Sequence, residues 1–411
     1  MTPTTSRRPS AAAVLGCLTL LAIGWTGLLI PSLIRSIEAS FAQDDAGMGL
    51  VYLLYAVAYA SGSFAGGPVT ERIGRRTVLV AAALTHGAGL VGFGLAPTWT
   101  AFALIALPAG LGAGILDGGA NGLFLDLFRT GRGRAMNLLH LFFSIGALSA
   151  PLVVGALVDG GVAWESVMVA SGLALVPLAV ALLLAPMPSG RHHGSSEVAE
   201  PATATEPAGS ATAAAGRIAT PLVLLAIAIA TYVAAEVGVS NWLVRFLDPA
   251  PLSTATLALS LYWAGLALGR LVSSAISDRF DHVRFTVTCA VLLSIALVGA
   301  IAVPSLPLSI ALFALVGFGS GPIFPMIQAI GGERYPDRSA AVSGLLTGAG
   351  VVGGTVYPPL MGVLSVTVGL TAAMYGNVIL GLACAAALMG FERLASAEQV
   401  GAALPTEVPG P

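Results

Sequence analysis

Asp117 and Asn121 stand four residues apart in the glycine-rich stretch PAGLGAGILDGGANGLFLDLF (108–128). On a helix that spacing puts both side chains on one face. A carboxyl beside an amide can hold a proton, or can bind the hydroxyls of a polar solute. The setting makes the acid expensive, because no Asp, Glu, Lys or Arg occurs from Thr77 to Leu116. Gly110 and Gly114 lie on the same face, so it reads either as a close-packed helix seam around a buried, paired acid or as the lining of a cavity where the acid binds substrate or a proton. Other polar stripes interrupt apolar runs. Asn137, His140 and Ser144 are spaced i, i+3, i+7, and Tyr232, Glu236 and Ser240 follow at steps of four, with Asn241 and Trp242 beyond. His140 reads as a cavity ligand or as a hydrogen-bonded core histidine. Trp242 reads as a membrane-interface anchor or as a ring that stacks on a sugar. The tract PSGRHHGSSEVAEPATATEPAGSATAAAG carries His192 and His193, which read as solvated linker residues rather than metal ligands.

The elements that must position these groups are membrane helices. The chain has 411 residues, 56% hydrophobic and 9% charged, far below the charge a soluble domain needs to cover its surface. Apolar runs long enough to cross about 30 Å of hydrocarbon recur, near 11–34, 47–69, 77–96, 99–127, 136–158, 163–186, 218–246, 253–277, 284–303, 307–330, 341–366 and 370–391. The expected organisation is an N-terminal six-helix bundle (1–187), a flexible cytoplasmic linker (188–217), a C-terminal six-helix bundle (218–394) and a disordered cytoplasmic tail (395–411). All 18 basic residues are arginines, and only Arg35 and Arg245 fall outside or beyond the segments assigned to the cytoplasm. That bias predicts both termini on the cytoplasmic side. At about 1.5 Å per residue from Phe128, Asp117 lies roughly 17 Å deep, near the midplane. Arg270 lies about 12 Å inside the helix end at Asp278; it either snorkels to the interface or faces a cavity and pairs with Asp117. Cys17, Cys289 and Cys384 sit in apolar segments and read as buried thiols. A net charge of −2 points away from nucleic acid.

A shift of 207 residues superposes the halves without gaps. Tyr55 falls on Tyr262, Gly62 on Gly269, Glu71 on Asp278 and Arg72 on Arg279; Gly110, Gly112 and Gly114 fall on Gly317, Gly319 and Gly321. Asn121 meets Gln328, whereas Asp117 meets Phe324 and Arg270 meets Ser63. Two such halves in one orientation are the parallel-repeat plan of a transporter with a midplane site. GGPVTERIGRR (66–76), with Gly67, Glu71, Arg72, Arg75 and Arg76, resembles the loop signature between helices two and three of the major facilitator superfamily. GRLVSSAISDRF (269–280) is its partial copy, with Asp278 and Arg279. The resemblance implies an all-α fold of twelve transmembrane helices in two pseudo-symmetric bundles. In such a protein the acid–arginine clusters latch the cytoplasmic ends.

GLGAGILDGGANGLF and RAMNLLHLFFSIGALSAP resemble helices four and five of the L-fucose permease (fucose–galactose–hexose proton symporter) branch. That resemblance implies proton coupling at Asp117 and solute contacts at Asn121, Asn137 and His140. TYVAAEVGVSNWLVRF resembles the branch's helix seven, which adds Glu236 for coupling and Tyr232 and Asn241 for binding; GFGSGPIFPMIQ resembles helix ten, which adds Gln328. Arg270 joins them as a candidate cavity charge. Tyr357, Pro358 and Pro359 mark an expected irregular point in helix eleven. At helix one the chain departs from the branch: TGLLIP (26–31) has Gly27 where the branch has an acid.

The expectation is a secondary transporter of the bacterial cytoplasmic membrane, without cofactor or metal and monomeric, with protons, a small sugar-like solute and the lipid bilayer as partners. Proton-coupled hexose uptake competes with proton-coupled efflux of a drug-like or natural-product compound. No Walker loop, metal-ligand cluster or nucleophile–histidine–acid set points to an enzyme or an ATP-driven pump.

Overall fold

The computed structural model describes residues 11–128, 132–187 and 220–403. The linker with His192 and His193 lies outside the described residues, as do the side chains of Asn137 and of 395–403. The fold is all-helical, with 12 helices long and apolar enough to cross a membrane. They are α1 (Ala11–Phe41), α2 (Asp45–Ile73), α3 (Arg75–Leu95), α4 (Trp99–Leu127), α5 (Arg132–Asp159), α6 (Trp164–Leu184), α7 (Thr220–Phe246), α8 (Leu252–Ile276), α9 (His282–Ala302), α10 (Leu306–Arg334), α11 (Ser339–Val368) and α12 (Leu370–Ala403). The end rich in arginine is called inner and the opposite end outer.

Proline accounts for the breaks. A proline lacks an N–H and crowds the carbonyl four residues back. Pro31 does so at Gly27, and α1 is interrupted at Leu28. Pro177 does so at Leu173, and α6 is interrupted at Ala174. Pro325 does so at Gly321, where α10 divides into Leu306–Ser320 and Ile323–Arg334. The expected irregularity in helix eleven is different: α11 is continuous through Pro358 and Pro359. The first helix also runs past its expected end at Ile34, carrying Arg35 and Glu38 inside its last turns. The last helix continues to Ala403, into the segment expected as a tail.

The repeat is visible in the packing. A Cβ on Gly110 would strike the carbonyl oxygen of Tyr55, and one on Gly317 would strike that of Tyr262, its counterpart after 207 residues. Gly114 lies against the Tyr59 carbonyl and Gly321 against that of Leu266, again in register. In each half, therefore, the same small residues let the backbone of one helix ride directly on its neighbour. Such contacts are backbone on backbone and cannot yield to a methyl group. The prediction is that Gly114→Ala costs about 1–3 kcal/mol and lowers the melting temperature of purified protein. Gly27→Ala, which meets nothing within 4 Å, should leave it unchanged.

Candidate functional site

The close approach at Gly114 brings Tyr59 of α2 to Asp117 of α4. The Tyr59 hydroxyl donates to Asp117 Oδ2 at 2.6 Å, and Asn121 Nδ2 donates to Asp117 Oδ1 at 3.0 Å and to its carbonyl at 2.9 Å. Tyr55 stacks on Tyr59, with ring centroids 6.4 Å apart. The packing reading of this face holds for the glycines, which form the seam, and the half-buried acid sits at its edge with uncharged partners. Because the amide nitrogen of Asn121 is committed to Asp117, its Oδ1 faces away, buried and without a donor. On α5, Ser144 Oγ donates to the carbonyl of His140 at 3.0 Å, and the imidazole of His140 is exposed rather than packed in the core.

On the C-terminal side, the Tyr232 hydroxyl donates to the Ser320 carbonyl at 2.8 Å, and the Glu236 carboxyl lies within hydrogen-bonding reach of the same hydroxyl. Tyr262 donates to the backbone carbonyl of Glu236 at 3.2 Å. Gln328 Nε2 donates to Thr347 Oγ1 at 3.0 Å, and its Oε1, like that of its repeat partner Asn121, is buried without a donor. Arg270 is half-buried and takes part in none of the ion pairs among the described residues. Of the two alternatives for Arg270, the ion pair with Asp117 is not formed in this structure, where tyrosine and asparagine hold Asp117. The two charges nevertheless both act on His140, and that of Arg270 also acts on Glu236.

Other residues have structural duties. Trp242 is neither an interface anchor nor a free stacking ring: it is 0% exposed, donates Nε1–H to the Pro358 carbonyl at 2.8 Å and meets Tyr52 edge-on at 5.7 Å. Asn241 takes part through its backbone, whose carbonyl accepts from the Tyr52 hydroxyl at 3.1 Å. These contacts belong to a seal between the bundles at the outer end, which sequence reasoning missed. There Arg245 Nε lies 2.8 Å from Asp45 Oδ1 and 3.0 Å from Glu38 Oε2, and Nη1 lies 3.2 Å from Asp248 Oδ2. Arg35 reaches the carbonyls of Val244 and Ala250 at 2.8 and 2.6 Å. Ser365 Oγ donates to Asp45 Oδ2, and the Ser253 N–H donates to Asp159 Oδ2 at 3.0 Å. One signal was present: Arg35 and Arg245 are the two arginines that break the positive-inside bias.

At the inner end the latch residues stand apart. Glu71, Arg72, Asp278 and Arg279 are exposed and form none of the ion pairs among the described residues. Most of the 66–76 motif is helix, since only Gly74 (φ 88°) separates α2 from α3. Gly67 is exposed, with open space around it. Arg75 pairs with Asp126 at 2.6 Å, and Arg76 donates to the Ala185 carbonyl at 2.9 Å, both within the N-terminal bundle. With the outer end sealed and the inner clusters unpaired, the site faces inward.

The family model of the Major Facilitator Superfamily matches residues 12–249 and 211–406, which together span nearly the whole chain. The chain belongs to the Major Facilitator Superfamily. This transporter is similar to a glucose/galactose transporter of Brucella abortus, at 28% identity over 91% of this chain and 93% of the relative. It is also similar to a gentisate transporter of Corynebacterium glutamicum, at 25% identity over 87% and 82%. The fold of the transporter matches the crystal structure of a bacterial homologue of the human lysosomal transporter Spinster, with a TM-score of 0.75, 15% identity and 94% and 98% coverage.

In the inward-facing transporter, neutralising the unpaired clusters should be silent in the resting state. Glu71→Gln and Asp278→Asn are predicted to shift stability by less than about 0.5 kcal/mol. Arg75→Ala, which strips Asp126 of its partner, should cost about 1–3 kcal/mol; thermal melts of the purified variants check the difference.

Proposed function

We propose that the chain carries out proton-coupled uptake of a small polyhydroxylated solute of the hexose class across a bacterial cytoplasmic membrane, by alternating access. The observation that carries this reading is the pair Asn121 and Gln328. These amides occupy equivalent positions in the two halves, and each leaves a buried carbonyl oxygen without a donor. A buried acceptor left unpaired costs about 1–3 kcal/mol, and a solute that presents hydroxyl groups to both bundles would recover it. His140, exposed in the same region, supplies a third polar contact. Asp117 suits the coupling role because its partners are neutral. A carboxyl held by a phenol and an amide can gain or lose a proton without breaking an ion pair, and its loss of charge changes what His140 and Arg270 experience. Glu236, near Arg270, is the second candidate for coupling. The glucose/galactose relative agrees with the solute class.

Arg270 favours a second reading. A half-buried guanidinium without an ion pair is a binding point for a carboxylate, and the gentisate relative carries an organic acid. A flux panel in proteoliposomes separates the two, with radiolabelled glucose, galactose and gentisate and an inwardly directed proton gradient. Accumulation of a hexose, lost by at least about tenfold in Asp117→Asn while solute counterflow persists, is the predicted result. Hexose flux that ignores the gradient, or full gradient-driven accumulation in Asp117→Asn, would refute the coupling. Accumulation of gentisate alone, abolished in Arg270→Leu, would replace hexose by an organic anion.

A further inference from the structure

The outer seal contains an arrangement that charge pairing alone does not complete. Arg245 Nε carries one hydrogen yet faces two carboxylates, Asp45 Oδ1 at 2.8 Å and Glu38 Oε2 at 3.0 Å. Both acids are removed from water, Glu38 at 9% and Asp45 at 5% exposure. Asp45 is the better satisfied, since Ser365 Oγ donates to its other oxygen. Glu38 Oε1 is buried and has no donor at all. The two carboxyl groups converge on that one N–H, which sets acceptor against acceptor unless one carries a hydrogen.

The surroundings commit their donors elsewhere except Arg35 Nη2, which is buried and, like Glu38 Oε1, makes no hydrogen bond. Tyr52 of α2 spends its hydroxyl on the Asn241 carbonyl. Arg35 of α1 directs Nε and one Nη to backbone carbonyls and lies 3.7 Å from Asp248, which also receives Arg245 Nη1. From α11 the facing group is Ser365, already committed. Asp248 is exposed to solvent, so the buried part of the cluster is Glu38 and Asp45 facing the single N–H of Arg245 Nε.

We propose that Glu38 and Asp45 form a proton-binding site within the outer seal, in which one proton shared between the two carboxyl groups closes the seal and its release opens it. The proton supplies the O–H donor that two carboxylates converging on one N–H lack. Glu38 and Asp45 belong to the N-terminal bundle, and Arg245 and Ser365 to the C-terminal bundle. Loss of the proton therefore turns a satisfied joint into one with two bare carboxylates competing for a single N–H. Because the sealed state binds the proton more tightly than the open state, acid favours sealing and alkali favours opening. This site is separate from Asp117, and its operation does not depend on which solute is carried.

Hydrogen–deuterium exchange of the full-length protein in nanodiscs tests the site without any solute. The readout is the exchange of peptides from Leu29–Phe41 and the outer end of α7, with Arg75–Leu95 as an internal folding control. At about pH 8, Glu38→Gln, whose amide replaces the O–H as donor, is predicted to exchange at least about fivefold more slowly than the unaltered protein in the outer peptides. At about pH 5 the two should coincide. Asp45→Asn should behave in the same way and serves if Glu38→Gln fails the folding control. Equal exchange of variant and unaltered protein at both pH values, or faster exchange in the variants, would overturn the proposal.

Discussion

Arg245 is the cation at which the two bundles meet, and its position decides what the rest of the molecule can be. It leaves α7 to reach Glu38 and Asp45 of the opposite bundle, and Arg35 crosses the other way to the carbonyls of Val244 and Ala250. With the outer end held by these contacts, Glu71, Arg72, Asp278 and Arg279 at the inner end form none of the ion pairs among the described residues. The chemistry of this joint differs from that within each bundle. Inside a bundle, helices touch through glycine at carbonyl oxygens, contacts that have one geometry and tolerate no intermediate. Between bundles, charged side chains that water can rehydrate as they part join a few backbone contacts, where Gly362 of α11 meets the Asp45 carbonyl and Gly49 of α2 meets that of Pro359. Two rigid bodies and a breakable seam are what rocking requires.

Much of this was legible because it is local or periodic. The twelve helices follow from apolar runs, and the 207-residue register survives into atomic contacts, with Gly110 on Tyr55 answered by Gly317 on Tyr262. Proline marks the breaks at Leu28, Ala174 and Gly321 but does not suffice for one: α2, α4, α5 and α11 stay continuous through Pro68, Pro108, Pro151 and Pro358–Pro359, and the Pro358 carbonyl accepts the Trp242 indole. What could not be read were pairings between distant residues. Tyr59 is 58 residues from Asp117 and Arg245 is 200 from Asp45, and no spacing rule links them. The alternative that paired Arg270 with Asp117 could not be weighed for the same reason, because a phenol on another helix holds the acid.

The inner latch is open in this structure. Its charged residues are unpaired here, as an inward-facing arrangement demands, while Arg75 and Arg76 brace their own bundle through Asp126 and the Ala185 carbonyl. Asymmetry between the halves then carries the specialisation. The scaffold glycines and the amides Asn121 and Gln328 are duplicated; Asp117 and Arg270 are not, since their counterparts are Phe324 and Ser63. A duplicated frame with unduplicated charges can respond to protonation on one side while both sides share a solute.

The central claim is that the outer seal and the inner latch exclude one another, and paired distances test it directly. Spin labels on Val162→Cys and Val368→Cys report the outer end, and labels on Ile73→Cys and Phe280→Cys report the inner end; all four positions are exposed. Cys17, Cys289 and Cys384 are replaced in both proteins. Electron–electron resonance distances recorded between about pH 5 and about pH 8 should show two populations, with the inner distance shortening in proportion as the outer one lengthens. An inner distance that stays fixed while the outer changes, or two distances that lengthen together, would contradict the account.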